Sequence, residues 1–379
     1  MDGLLIGKTL VLVGIAVGGT TLLTRCARWI APRLGFVDNP DGRRKLHKQP
    51  TPLLGGVAVF VGLVLTVLCA SFACGLNLLD PAGDLFITWS LATASIFCMI
   101  GVYDDRWPLR PRTKFLLQVL ACIPFAVWGR TATEIDLLGI DIQLGMWSVP
   151  FTIFWLVACV NAFNLLDGLD GQATGLGIVS CLAFAGLAIF RGDFQTVLLA
   201  LLVVGNLLGF LWYNKPPARI FLGDAGSLMI GFLAGSLALE TSLSTTGQFS
   251  IVLPCVALAL PLFDTCMAIV RRKLKGRGIG EADREHIHHC LQDQGFSRVQ
   301  SLLIVLVCGL VLAGFVLSAA ALQSEPLAIT GLVLTVGALL TCRLFGHREL
   351  ALVALRLQDL RVRLQSLRQR PNPLEWLAF

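Results

Sequence analysis

Eleven apolar windows recur along this chain of 379 residues, each close to the length that crosses a bilayer, and they constrain its fold more than any other feature. They lie near residues 4 to 24, 55 to 74, 85 to 102, 115 to 129, 148 to 165, 173 to 190, 195 to 213, 227 to 240, 249 to 270, 301 to 321 and 326 to 344. Helices of this length cover roughly 30 Å of hydrocarbon, so the pattern predicts an all-α polytopic membrane protein with about eleven transmembrane helices. With 55% hydrophobic and only 14% charged residues, a soluble globule is excluded. The window at 227 to 240 is the shortest of the set.

Orientation follows from the basic residues. If the first window runs outside to inside, the inner connections are 25 to 54, 103 to 114, 166 to 172, 214 to 226 and 271 to 300, plus the tail from 343. They hold 27 of the 30 Lys and Arg, leaving only Lys8, Arg130 and Arg191 elsewhere. By the positive-inside rule this fixes a cytoplasmic basic face. The net charge of +6 is thereby explained by inner-leaflet anchoring and phosphate chemistry, with no call for nucleic acid. No cleaved signal peptide is predicted, because the first apolar stretch is span-length and lacks a small-residue cleavage pattern. The twelve cysteines are scattered singly with no CxxC pair, which reads as packing rather than metal or disulfide chemistry. Gly14/Gly18 and Gly231/Gly235 have the spacing of close helix contacts.

Every unusual polar motif falls on the inner face. Asn161-Ala-Phe-Asn-Leu-Leu-Asp-Gly-Leu-Asp-Gly171 places Asn164, Asp167 and Asp170 directly after an apolar window. A carboxylate near the bilayer centre costs roughly 2.5 to 3.5 kcal/mol, so such a cluster is predicted to be paired, metal-bound or water-facing. Gly168 and Gly171 predict a turn that curls the three side chains toward one point. Asp104 and Asp105 close another window, and adjacent carboxylates repel unless a cation lies near them; a divalent metal or an Arg is implied.

Three further motifs complete the set. Asn214-Lys-Pro-Pro-Ala-Arg-Ile-Phe221-Leu-Gly-Asp224-Ala-Gly-Ser227 combines glycine-flanked backbone with an acid at the start of a helix. Asp283-Arg284-Glu-His286-Ile-His288-His289 sits among Arg271, Arg272, Lys273, Lys275 and Arg277, where imidazoles suit phosphate contact or proton handling. Arg43-Arg-Lys-Leu-His-Lys48-Gln-Pro-Thr-Pro52 precedes Gly55-Gly56. Together they offer hard oxygen ligands, cationic donors and exposed backbone amides, the equipment for phosphoryl transfer with a divalent cation. Oxygen-only ligands favour Mg²⁺, with Mn²⁺ as the alternative, over zinc. The absence of a GxxxxGK[ST] loop speaks against ATP-driven transport.

At these residues the sequence resembles the polyprenyl-phosphate N-acetylhexosamine-1-phosphate transferase superfamily, of glycosyltransferase family 4 type. The matching motifs are Lys48-x-x-Thr-Pro with Gly55-Gly56, Asp104-Asp105, Asn161-x-x-Asn-x-x-Asp-Gly-x-Asp-Gly171, Phe221-x-Gly-Asp-x-Gly-Ser227 and His286-x-His-His289. The resemblance implies that undecaprenyl phosphate attacks the β-phosphorus of a UDP-sugar, releasing UMP and leaving an undecaprenyl-diphosphate sugar. It makes Asp104 and Asp105 the pair near the acceptor phosphate, with Asp104 taking its proton, and Asp224 and Asn164 the holders of Mg²⁺ with Asp167 nearby. It places Asp170, Asn214 and Phe221 at the uridine end, and Lys48, Arg284, His286, His288 and His289 at the diphosphate or sugar. Asp224 as a covalent nucleophile is the mechanistic alternative.

Within the superfamily the histidine loop resembles the bacterial UDP-GlcNAc branch, which starts O-antigen, enterobacterial common antigen or teichoic acid. That implies a cytoplasmic-membrane location, a cytoplasmic-side active site and, as in relatives, a homodimer. Some relatives carry a third acid three positions after the paired aspartates; Pro108 stands there in this chain, so no role is given to a third carboxylate. Asp264 is expected to be a buried partner in the bundle, with a supporting part in catalysis as the alternative. The nearest competing reading is phospho-MurNAc-pentapeptide transfer. A secondary transporter is disfavoured because the acids lie at window ends and no inverted halves are visible. A non-catalytic lipid-phosphate scaffold would be expected to lack one or more of the acids.

Residues 347–379 are read as a basic amphipathic tail, separate from a catalytic domain over 1–346. Leu350, Val353, Leu357, Leu360, Leu364 and Leu367 keep three-four spacing beside Arg356, Arg361, Arg363, Arg368 and Arg370. A short coiled coil and a helix on anionic lipid both fit, and the lipid surface is favoured. Removal of residues 349 to 379 is expected to leave activity in detergent largely intact.

Overall fold

The computed structural model describes residues 3–39, 50–76, 78–79, 85–243, 248–278 and 285–368. The apolar windows fold as helices in sequence order. The first eight helices are α1 (Gly3–Ile30), α2 (Gly55–Leu68), α3 (Phe86–Arg106), α4 (Pro111–Pro124), α5 (Ser148–Leu166), α6 (Gln172–Arg191), α7 (Phe194–Asn214) and α8 (Gly223–Ser242). The chain continues through α9 (Val252–Ala257), α10 (Ala259–Leu274), α11 (Ile287–Asp293), α12 (Arg298–Ala321), α13 (Glu325–Thr341) and α14 (His347–Arg368). The protein is an all-α, multi-pass membrane protein in its body.

The expected count of eleven spans is not reproduced as such. Among the described residues, eight helices are long and apolar enough to cross a membrane. The other three windows yield shorter pieces. Helix α4 has 14 residues and passes into a π-helical turn that ends at Gly129, and α13 has 17. The window at 249 to 270 breaks at Leu258, between α9 and α10. Pro261 explains the break, because a proline supplies no N–H to the carbonyl four residues earlier, at Ala257.

Helix α8 is the centre of the bundle, with 89% of its apolar window buried, although its hydropathy is the lowest of the eight. It begins at Gly223, four residues before the window expected from hydropathy. Polar residues at its start conceal its true length from a hydropathy scan. Its glycines pack as the spacing predicts: a Cβ at Gly231 would lie 2.7 Å from Val160 Cα, and one at Gly235 would lie 2.9 Å from Cys159 Cβ, both on α5. A Cβ at Gly14 or Gly18 would meet nothing within 4 Å, so among the described residues that small-residue spacing marks no contact.

Two small sheets depart from a purely helical fold. Strands β1 (Val37–Asp38) and β2 (Thr51–Pro52) pair antiparallel in the first basic connection. At the other end, β3 (Glu134–Leu137) pairs antiparallel with β4 (Ile140–Gln143) and parallel with β5 (Gln248–Ser250). All twelve cysteines are free, three of them exposed.

Candidate active site

The site forms where α3, α4, α5 and α8 end or begin at the basic end of the bundle. Asp105, in the last turn of α3, accepts hydrogen bonds from the backbone amides of Asp224 (2.9 Å) and Ala225 (3.3 Å). These are among the orphan donors of the α8 N-terminus, so a carboxylate caps the positive end of the central helix. The approach is close enough to require glycine. Gly223 has φ +70°, and a Cβ there would lie 2.5 Å from Asp105 Oδ2.

Lys114, in the first turns of α4, joins the motifs. Its Nζ lies 2.9 Å from Asp104 Oδ2, and it donates to Asp224 Oδ2 (2.6 Å) and Asn164 Oδ1 (3.1 Å). This is the cation that the paired aspartates required, a lysine rather than an arginine. Asp104 also accepts from the Leu109 amide at 2.6 Å, which ties it to the turn between α3 and α4. Asn164 donates to Asp224 Oδ1 (2.7 Å) and Ser227 Oγ (2.9 Å), fixing its amide orientation. The sequence does not single out Lys114, because positive-inside bias already accounts for every basic residue on that face.

The turn after α5 supplies the remaining acids. Asp167 caps α5, and its carboxylate has no hydrogen-bond partner among the described residues. Withdrawal from water pushes it well above the usual carboxylate range, and the charges of Asp224, Asp105 and Asp170 push in the same direction. Asp170 accepts from the Ala218 amide at 2.9 Å and so holds the connection between α7 and α8. Asn214 is buried in that connection, accepting from Thr174 Oγ1 (2.9 Å) and donating to the Ile220 carbonyl (3.1 Å). Phe221 is half-buried, its amide bonded to the Pro52 carbonyl at 2.8 Å. Strand β2 and the approach to α8 are thereby pinned together.

The histidine segment reaches the same place. A Cβ at Gly168 would fall 2.4 Å from His288 Cε1, so the imidazole rests on the Asp167–Gly168 turn. His288 is 2% exposed, and among the described residues neither ring nitrogen has a hydrogen-bond partner. Burial holds it well below the usual histidine range, and the His289 and His286 rings add to the effect. The His289 ring centroid is 4.2 Å from that of His288. His286 turns away into the protein, where its Nδ1 lies 2.7 Å from Asp264 Oδ2. Asp264 is therefore the buried partner expected from the sequence, and its partner is a member of the histidine motif.

All five motifs thus supply residues to one continuous region, the first through the Pro52 carbonyl and the Gly55 and Gly56 amides, which bond to the Phe221–Leu222 backbone. Lys48 and Arg284 lie outside the described residues. The set around Asp224 is oxygen-only apart from Lys114, the donor chemistry of a hard divalent cation, and Asp224 and Asn164 could hold one. Among the described residues no three His, Cys, Asp or Glu side chains are grouped as a metal cluster.

A model of the family described as glycosyl transferase family 4 matches residues 87–242, which contain Asp104, Lys114, Asn164 and Asp224. A probable undecaprenyl-phosphate N-acetylglucosaminyl 1-phosphate transferase of Bacillus subtilis is 35% identical over 308 residues, 81% of this chain and 82% of that protein. The undecaprenyl-phosphate alpha-N-acetylglucosaminyl 1-phosphate transferase of Escherichia coli K12 is 30% identical over 305 residues, 78% of this chain and 79% of its own. A decaprenyl-phosphate N-acetylglucosaminephosphotransferase of Mycobacterium tuberculosis H37Rv is 32% identical over 326 residues, covering 79% of each chain.

Proposed function

The chain belongs to glycosyl transferase family 4, and from that membership and the site around Asp224 we propose how it works. It is a membrane phosphotransferase that moves a sugar 1-phosphate, N-acetylglucosamine 1-phosphate in our reading, onto undecaprenyl phosphate. The donor is UDP-N-acetylglucosamine, the by-product UMP, and the reaction the first membrane step of a cell-envelope polysaccharide. The active site faces the cytoplasm from the inner membrane, in keeping with the concentration of Lys and Arg at that end.

The observation that carries this reading is the bridging of Asp104, Asp224 and Asn164 by one lysine, at the N-terminus of the central helix. Such a group is built to exchange one anion for another. When the acceptor phosphate enters, Lys114 turns from the carboxylates to the phosphate oxygens, and Asp104 is released to take the acceptor's proton. The phosphate oxygen attacks the β-phosphorus of the donor, forming the new P–O bond as the bond to UMP breaks. Asp105 stays on the α8 amides and keeps Asp224 in place. His288, neutral and unpartnered, presents a ring nitrogen to the diphosphate or sugar. Asp170 and Asn214 shape the connection that carries Phe221 toward the uridine.

Mg²⁺ held by Asp224 and Asn164 would neutralise the diphosphate and stabilise the charge that develops on it. Both carboxylate oxygens of Asp224 already accept hydrogen bonds, which favours a direct displacement over a covalent intermediate on that residue. The test is purified protein in detergent with undecaprenyl phosphate, Mg²⁺ and a panel of UDP-sugars. UMP release with UDP-N-acetylglucosamine, abolished by EDTA, is expected. Release with UDP-MurNAc-pentapeptide alone would redirect the pathway, and no UMP from folded protein with any donor would overturn the reading.

A further inference from the structure

Helix α10 and the start of α14 hold the histidine segment from behind. Asp264 is 1% exposed, and its two oxygens are both committed to that segment: Oδ2 lies 2.7 Å from His286 Nδ1, and Oδ1 accepts from the Ile287 amide at 2.9 Å. The carboxylate therefore selects the tautomer protonated on Nδ1 and turns Nε2 to the other side of the ring. Two helical turns further along α10, on the same face, stands Arg271, 0% exposed. Its Nε lies 3.7 Å from Glu285 Oε2, one residue before His286. Its guanidinium is also ion-paired with Glu349, 3% exposed, in the first turn of α14.

Other contacts bind α14 to this assembly. Arg356 donates to the Leu274 carbonyl at 2.9 Å, satisfying an orphan acceptor at the end of α10. Gln294, just past α11, donates to the Arg343 carbonyl at 2.7 Å in the connection that leads into α14. Without Glu349 the buried guanidinium has one carboxylate partner fewer, and the balance of its contacts shifts toward Glu285. Glu349 thus determines where Arg271 can sit, and Arg271 bears on Glu285 beside the first histidine.

We propose that the first turn of α14 is part of the catalytic body, with Glu349, Arg271 and Asp264 acting together as positioning residues that set the place and tautomer of His286. This rests on the donor-side role of the histidine segment given above. It reverses the expectation that everything from residue 349 onward is dispensable. Leu350 and Leu355 are exposed, whereas Glu349 points into the protein.

The test compares wild type with Glu349→Gln, Glu349→Asp and Asp264→Asn, using full-length protein in detergent. Hydrogen–deuterium exchange of peptides covering residues 285 to 291 reads the coupling directly, and kcat and KM for donor and acceptor read its consequence. Glu349→Gln is expected to speed exchange of the Ile287 amide and to lower donor kcat/KM by about tenfold, the scale seen when a group orienting a histidine is lost. Acceptor KM should stay at the wild-type value, and Glu349→Asp should recover most of the donor kcat/KM. Asp264→Asn should show the same donor-selective loss. Unchanged exchange and donor kcat/KM in folded Glu349→Gln would overturn the proposal, as would an equal loss toward both substrates.

Should Glu349→Gln fail to fold, the apolar pair Arg271→Met with Glu349→Leu removes both charges together. Wild-type donor kcat/KM in that double variant would overturn the proposal, and a donor-selective loss would support it. If wild type released no UMP with any donor, the proposed function would fall, while the exchange measurement would still decide whether Glu349 holds the segment.

Discussion

Lys114 Nζ and Asp224 Oδ2 lie 2.6 Å apart, although 110 residues separate them in the chain. The pair joins the start of α4 to the start of α8, and Asp104 and Asn164 are gathered on the same ammonium. An amine in such company is fully charged and balances carboxylates that would otherwise repel one another.

Lys114→Met should therefore be more damaging than any other loss of a basic residue on that face. We expect kcat/KM to fall by about a hundredfold or more, comparable to removal of a preorganised donor to a transition-state charge. Lys114→Arg should recover part of the activity, since the charge is kept and the geometry altered. Steady-state UMP release measures both, and wild-type turnover in folded Lys114→Met would remove the lysine from the mechanism.

Asp224→Asn should abolish most turnover at every Mg²⁺ concentration. The change keeps the shape of the side chain and removes the charge that faces Lys114 and balances the diphosphate site. Near wild-type activity at saturating Mg²⁺ would contradict the role given to this residue.

Gly168→Ala should act through His288. The added Cβ would come within 2.4 Å of the ring, so the imidazole must leave its seat on the turn. Overpacking of this kind costs about 1 to 3 kcal/mol, leaving a folded protein with a displaced histidine. A fall in donor kcat/KM without loss of the helical circular dichroism signal is expected; an unchanged donor kcat/KM would return His288 to a packing role.

The same histidine makes a prediction about pH. Its folded pKa is depressed from 6.5 by burial, so the native state keeps it neutral while the unfolded chain takes up a proton below that value. Stability that is fully present above pH 6.5 is lost as pH falls toward the folded pKa. Between pH 7.5 and 5.5 this loss amounts to about 1.4 kcal/mol for one such group. The Tm of His288→Gln should fall less over that interval than that of wild type, and an identical pH dependence in the two proteins would mean that the ring binds protons alike in the folded and unfolded states.

The sequence by itself determined a good deal of this protein. Span-length apolar windows separated by basic connections dictate helices in a membrane, because hydrocarbon admits only segments whose backbone is internally bonded. Motifs that are contiguous in the chain, such as Asn161 to Gly171 or His286 to His289, were legible because their spacing carries their chemistry. The true start of α8 was not, since a polar helix start reads as a loop until its amides are seen on Asp105. Lys114 gave no local signal among many basic residues, and Glu349 lay hidden in a tail whose repeat of leucines and arginines describes a surface helix. What only tertiary structure decided is which of these charges meet. Coulombic partnership depends on distance in space, and the helices set that distance through packing between segments that the linear pattern leaves free to approach in many ways.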